Sequence, residues 1–151
     1  MNLTVDASIV VKWFFAESHC RESRLLLERQ IRLHAPGLLL PEFANTVWKK
    51  ARRREIADPK PFLDEIASLA GLITFYRAAR LTKRASQIAV RIDHPAYDCM
   101  YAACAEMAGA PLITADKRLA DKLGHGKWNS RVLYIGDSDT VRMIEEAGVR
   151  A

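Results

Sequence analysis

Residues 2–15 read NLTVDASIVVKWFF, an apolar run interrupted by a single carboxylate, Asp6. The residues before it, Leu3 to Val5, have the composition of a buried strand, and those after it can continue as a short helix or turn. A carboxylate set against buried backbone is unfavourable unless something offsets its charge. Asp6 therefore either caps the helix that follows or meets a cation, and the rest of the chain has to decide between these.

The remaining sequence repeats the strand-then-helix grammar. Residues 18–31 (SHCRESRLLLERQI) carry Leu25, Leu26 and Ile31 at roughly helical spacing, and RLHAP (32–36) is a short strand stopped by Pro36. GLLLPEFANTVWKKARRRE (37–55) is an amphipathic helix with Leu40, Phe43 and Val47 on its apolar face and Glu42 and Asn45 on the other. DPKPFLDEIASLAGL (58–72) is a helix closing near Gly71, with Phe62, Ile66 and Leu69 on one side. ITFYR (73–77) is a strand, LTKRASQIAVRI (81–92) a helix, and HPAYDCMYAACAEMAG (94–109) a further helix opened by Pro95 and ended by Gly109. APLITADKRLADKLG (110–124) and RVLYIGDSDTVRMIEEAG (131–148) each pass from strand to helix. This alternation predicts an α/β fold: one domain over residues 1–151, with a central, mainly parallel sheet of four or five strands and helices on both faces.

Composition narrows the chemistry. The 151 residues are 50% hydrophobic and 27% charged, the profile of one globular domain. No stretch approaches the roughly 18 apolar residues of a membrane span, and no signal-peptide pattern opens the chain, so a cytoplasmic, non-membrane protein is expected. Cys20, Cys99 and Cys104 lack metal-type CxxC spacing, and the four histidines form no HxxxH or HxH pair. A catalytic metal, if used, would then be held by oxygen. The net charge of +5 favours a polyanionic partner without naming one.

Open parallel sheets hold their ligands beyond the carboxyl ends of the strands. Asp6 follows the first strand and Asp116 follows PLIT, while Glu42 and Asp98 open two helices running back from the same edge. Four acids from distant parts of the chain can thus converge. Such a set suits magnesium or manganese, hard ions that take oxygen ligands and retain water. One or two of them would offset the mutual repulsion of the acids and activate a water against a phosphodiester. Singly, each acid has a plainer role: Asp6 and Asp116 as helix caps, Glu42 and Asp98 as favourable charges in a first turn.

TVDASIVVKWF (4–14), PEFANTVWK (41–49), HPAYDCMYAACAE (94–106) and LITADKRLA (112–120) together resemble, in order and spacing, the PIN domain and within it the VapC toxins of bacterial toxin–antitoxin pairs. The resemblance runs from Asn2 to about Gly124. It implies a PIN-like three-layer α/β/α fold and a Mg²⁺- or Mn²⁺-dependent endoribonuclease whose acidic quartet falls on Asp6, Glu42, Asp98 and Asp116. Ser8, Asn45 and Thr114 match supporting polar positions. It also implies an RNA substrate, a cognate VapB-type antitoxin and a homodimer.

Lys49, Lys50, Arg52, Arg53 and Arg54 crowd the end of one helix, where cations offset the dipole; the first four are also candidates for RNA phosphates or an acidic antitoxin segment. Trp13, Phe14 and Phe15 are expected in packing rather than base stacking. Two other classes compete. A haloacid-dehalogenase-like phosphatase also sets an aspartate after its first strand, but needs a second aspartate where this chain has Ser8. An RNA-binding module without turnover would keep the fold alone.

Overall fold

The structure is a computed structural model and describes residues 1–125 and 131–149. Five parallel strands, β1 (Asn2–Val5), β2 (Arg32–Pro36), β3 (Ile73–Tyr76), β4 (Leu112–Thr114) and β5 (Val132–Tyr134), form one sheet in the order β3-β2-β1-β4-β5. Leu3, Thr4 and Val5 are all fully buried, as expected of a strand at the centre of a parallel sheet covered on both faces. The helices between them are α1 (Ala7–Phe14), α2 (Cys20–Glu28), α3 (Leu39–Arg52), α4 (Lys60–Leu72), α5 (Ala78–Ile92), α6 (Ala96–Ala108) and α7 (Lys117–Leu123); α8 (Ser138–Glu146) follows β5. The expected three-layer α/β/α fold is what these elements build.

The strand order carries the functional consequence. The chain steps from β1 to β2 to β3 in one direction, then crosses back so that β4 pairs with the other side of β1. Right-handed crossovers made in opposite directions send their helices to opposite faces, which parts the two connections beyond the carboxyl ends of β1 and β4. Asp6 and Thr114 stand at that parting.

Packing fixes the elements that carry the acids. Phe43 on α3 is fully buried and tilts against Phe14, with ring centroids 5.0 Å apart. Trp13 Nε1 donates to the Ser23 carbonyl at 3.0 Å and Ser23 Oγ donates to the Ile9 carbonyl at 2.8 Å, pinning α1 to α2. Phe15 stacks on Phe62 at 4.7 Å, so the three aromatics after Asp6 serve packing as expected. Every residue of α6 from Cys99 to Ala105 is buried, which is why its pattern lacks a polar face. It ends at Gly109, whose left-handed φ of 62° suits a residue without Cβ. Pro36 closes β2 as expected: its register partner is Tyr76, whose carbonyl accepts from the Gly37 amide at 2.9 Å.

Candidate active site

The opening question about Asp6 has a structural answer. Asp6 is the N-cap of α1, its Oδ1 accepting from the Ile9 amide at 3.1 Å. The same oxygen accepts from Ser8 Oγ at 2.5 Å, while Oδ2 accepts from Thr114 Oγ1. Ser8 Oγ in turn accepts from the Ala115 amide at 2.9 Å, and Thr114 Oγ1 from the Asp116 amide at 2.9 Å. Two hydroxyls thus tie the end of β1 to the end of β4, and both belong to the expected supporting set.

Capping does not neutralise Asp6. The residue is only 4% exposed, and burial pushes its carboxyl up from the ordinary 3.8 to about 6 against the pull of Ser8, Thr114 and Ile9, with Asp116 raising it further. Glu42, half-buried in the first turn of α3, is also raised, first by burial and then by the charges of Asp98 and Asp6. The four acids therefore feel one another in a chain, Asp116 with Asp6, Asp6 with Glu42, and Glu42 with Asp98.

Asp116 caps α7, its Oδ1 accepting from Arg118 N at 2.8 Å and Leu119 N at 3.1 Å, which leaves Oδ2 without a hydrogen bond among the described residues. Asp98 sits in the first turn of α6 with His94 Nε2 3.0 Å from its Oδ2, a contact outside hydrogen-bond geometry. Asn45, one turn beyond Glu42, is exposed and joins none of these contacts.

Among the described residues no three carboxylate, imidazole or thiolate groups are drawn into a ready-made ion cage. The donor set nevertheless fits magnesium or manganese, which keep several waters and take only one or two protein carboxylates directly. The fit rests on Asp6: a buried carboxylate with three hydrogen-bond donors, acidic neighbours and, among the described residues, no facing cation. Cys99 and Cys104 offer no alternative, because burial pushes Cys99 up to about 11 and Cys104 up to about 12.

Tyr101 is a member of the site that the sequence reading passed over. Its buried hydroxyl donates to Glu42 Oε2 and pulls that carboxyl down against the other influences on it. Tyr101 lies three residues after Asp98 on α6, so the two share a helix face, and that spacing was the available signal. Tyr101→Phe is expected to raise the Glu42 carboxyl further and to weaken divalent-ion binding about 10- to 100-fold, with the fold retained. Carboxyl-carbon NMR titration and Mn²⁺ binding by electron paramagnetic resonance read the two effects; an unmoved Glu42 titration would refute this role.

The basic cluster is less free than its sequence implied. Lys50 Nζ lies 3.1 Å from Glu17 and 3.2 Å from Glu55 and sits over the Phe15 ring, so it is committed to structure. The buried Lys12 joins the same network through Glu17 at 3.3 Å. Arg52 covers the exposed Trp48 ring, Arg53 lies 3.9 Å from Glu55, and Lys49 is exposed.

Comparison with known proteins bears on the family and the fold. The PIN domain family matches residues 3–123. Ribonuclease VapC3 of Pyrobaculum aerophilum is 30% identical over 124 residues, covering 81% of this chain and 95% of its own. Ribonuclease VapC9 of Mycobacterium tuberculosis is 33% identical over 121 residues, covering 79% of this chain and 89% of its own. In fold, the chain superposes on PAE2754 from Pyrobaculum aerophilum with a TM-score of 0.69 at 21% identity, over 96% of this chain and 90% of that one. VapBC2 from Rickettsia felis, solved with a DNA fragment from its promoter, gives a TM-score of 0.62 at 12% identity, over 89% and 98%. With the family matched along most of its length and a sheet whose parting carries the acids, the chain belongs to the PIN-domain family, among the VapC proteins.

Proposed function

We propose that the chain is a divalent-metal-dependent endoribonuclease, the toxin of a VapBC-type pair, acting in the cytoplasm and held in check by a VapB-type antitoxin. Its relatives are named as ribonucleases, and a fold neighbour from Mycobacterium tuberculosis is described as a toxin cleaving the sarcin–ricin loop. The observation that carries the reading is Asp6, a buried carboxylate at the parting of a parallel sheet with no cation among the described residues to offset it. On this reading Asp6, Asp98 and Asp116 are the principal ligands, and Glu42 holds a second ion or its water.

A bound magnesium or manganese supplies charge stabilisation at the phosphodiester and a water of lowered pKa. The chain's own residues do the rest. Ser8 and Thr114 fix both Asp6 oxygens, so the carboxylate does not swing when an ion or substrate arrives. Tyr101 donates to Glu42 and opposes the upward push of burial on its carboxyl, and the backbone amides at the start of α7 orient Asp116. The homodimer expected of the family belongs to the same proposal.

The phosphatase alternative loses ground at Ser8. Its hydroxyl is spent on Asp6 and the Ala115 amide, in the position where that chemistry requires a second carboxylate. Purified protein freed of antitoxin is expected to cut RNA with added Mg²⁺ or Mn²⁺ and not in EDTA, and Asp98→Asn to lower the rate about a hundredfold or more. Equal cutting by the variant, or cutting in EDTA, would overturn the reading. Phosphate release from small phosphomonoesters, with RNA intact, would restore the phosphatase.

A further inference from the structure

Beside the acids lies a second hollow that the proposed chemistry leaves unused. A groove of about 590 Å³ opens between the start of α3, the start of α5 and the start of α6. Gly37, Pro41, Ala78, Thr82, Ala96 and Tyr97 line it, and Met100 closes its floor. Among the described residues no charged side chain lines it, and the one lining hydroxyl besides that of Tyr97, Thr82 Oγ1, is already bonded to the Ala78 carbonyl at 2.8 Å. An ionic occupant would be left uncompensated there.

Two features say what fits. Gly37, Ala78, Ala85 and Ala96 keep much of the lining small, Leu38, Pro41 and Met100 add apolar bulk, and Tyr97 is 69% exposed. That is an apolar hollow with an exposed aromatic side chain beside it. The groove neighbours two of the acids, because Pro41 precedes Glu42 on α3 and Tyr97 precedes Asp98 on α6. A group covalently joined to a phosphodiester at those acids is the occupant such a position favours. Unpaired nucleobases are neutral, planar and stack on exposed aromatic rings.

We infer that this groove is a nucleobase subsite, in which an unpaired base next to the scissile phosphate stacks on Tyr97. The inference rests on the ribonuclease reading above. It makes Tyr97 a substrate-positioning residue, and it makes an unstacked base, as found in single strands and loops, a requirement of the substrate. A base held in a duplex keeps both faces covered and cannot enter.

The test measures binding separately from cleavage. Fluorescence anisotropy follows a labelled single-stranded RNA of mixed sequence, about 12 nucleotides long, with calcium replacing magnesium. Tyr97→Ala is expected to weaken binding about tenfold or more, and Tyr97→Phe, which keeps the ring, to bind like the unaltered protein. Ala78→Leu, which fills the hollow from another wall, is expected to weaken binding as Tyr97→Ala does, and neither should alter the affinity for duplex RNA. Equal single-strand affinity in Tyr97→Ala, equal losses on duplex, or no binding by the unaltered protein would overturn the inference. So would a drop in mass of Tyr97→Ala by light scattering without RNA, which would mean that a second copy of the chain covers the groove. RNA cutting by the unaltered protein is scored separately, so failure of the nuclease reading is distinguishable from failure of the subsite.

Discussion

Asp6→Asn is expected to make the metal-free protein more stable while removing its proposed activity. At neutral pH the Asp6 carboxylate is ionised although burial pushes its carboxyl up to about 6 from 3.8, so folding at that pH carries a penalty of about 1–3 kcal/mol. Asparagine is neutral, caps a helix as well as aspartate does, and presents a carbonyl to Ser8 and Ile9. The Thr114 hydroxyl, which donates to Asp6 Oδ2, can turn to accept from the new amide. For a domain of this size the gain corresponds to roughly 3–10 °C in melting temperature in EDTA. RNA cleavage should fall about a hundredfold or more in the same variant. A melting temperature unchanged or lowered in EDTA would show that Asp6 is not the uncompensated charge described here.

The second large effect is the response to divalent ions and pH together. In metal-free protein, Asp6 releases its proton near 3.8 when unfolded and near 6 when folded, so between these values the folded state holds more protons. Stability from this group is therefore greatest below about 3.8, falls as pH rises through the window, and stays level above about 6. Magnesium or manganese should act in the opposite sense, because the proton and the ion compete for one carboxylate. At a hundredfold excess over its dissociation constant the ion should add about 2.7 kcal/mol, roughly 5–11 °C, at neutral pH. That increment should vanish as pH falls through about 6, and Asp6→Asn should show little of it at any pH. Thermal melts with and without EDTA across this range give both curves; an ion effect independent of pH would sink the assignment of Asp6 as a ligand.

The sequence carried the fold well because its strands are short, apolar and separated by amphipathic helices, a pattern whose period changes at each boundary. The two elements that begin at Asp6 and Asp116 were legible for the same reason, since an acid between a buried strand and a helix is both a cap and a candidate ligand. What periodicity does not encode is partnership across long separations. Tyr101 reads as one more apolar position of α6, and only the packing of α6 against the sheet reveals that its hydroxyl meets Glu42, 59 residues earlier. Likewise Lys50 looks like any residue of a basic run until α1 and the segment behind it supply Glu17 as its partner. Ser8, Thr114 and Asn45 were indicated by the family resemblance; the first two bond Asp6, while Asn45 sits on a helix face that turns it to solvent.

The hydroxyl bond between Thr114 and Asp6 spans 108 residues and joins the first strand to the fourth. Contacts at such separation form late, after the local helices and the β1–β2–β3 side of the sheet can already exist. Chains emerge from the ribosome N-terminus first, so a nascent molecule presents Asp6 and Glu42 long before Asp98 and Asp116 follow. The crossover that places β4 beside β1 thus makes assembly of the four acids depend on residues 112–116. A product ending before β4 holds three of the four acids, lacks the Thr114 clasp on Asp6, and gains the complete acidic set only once β4 and the start of α7 have been made.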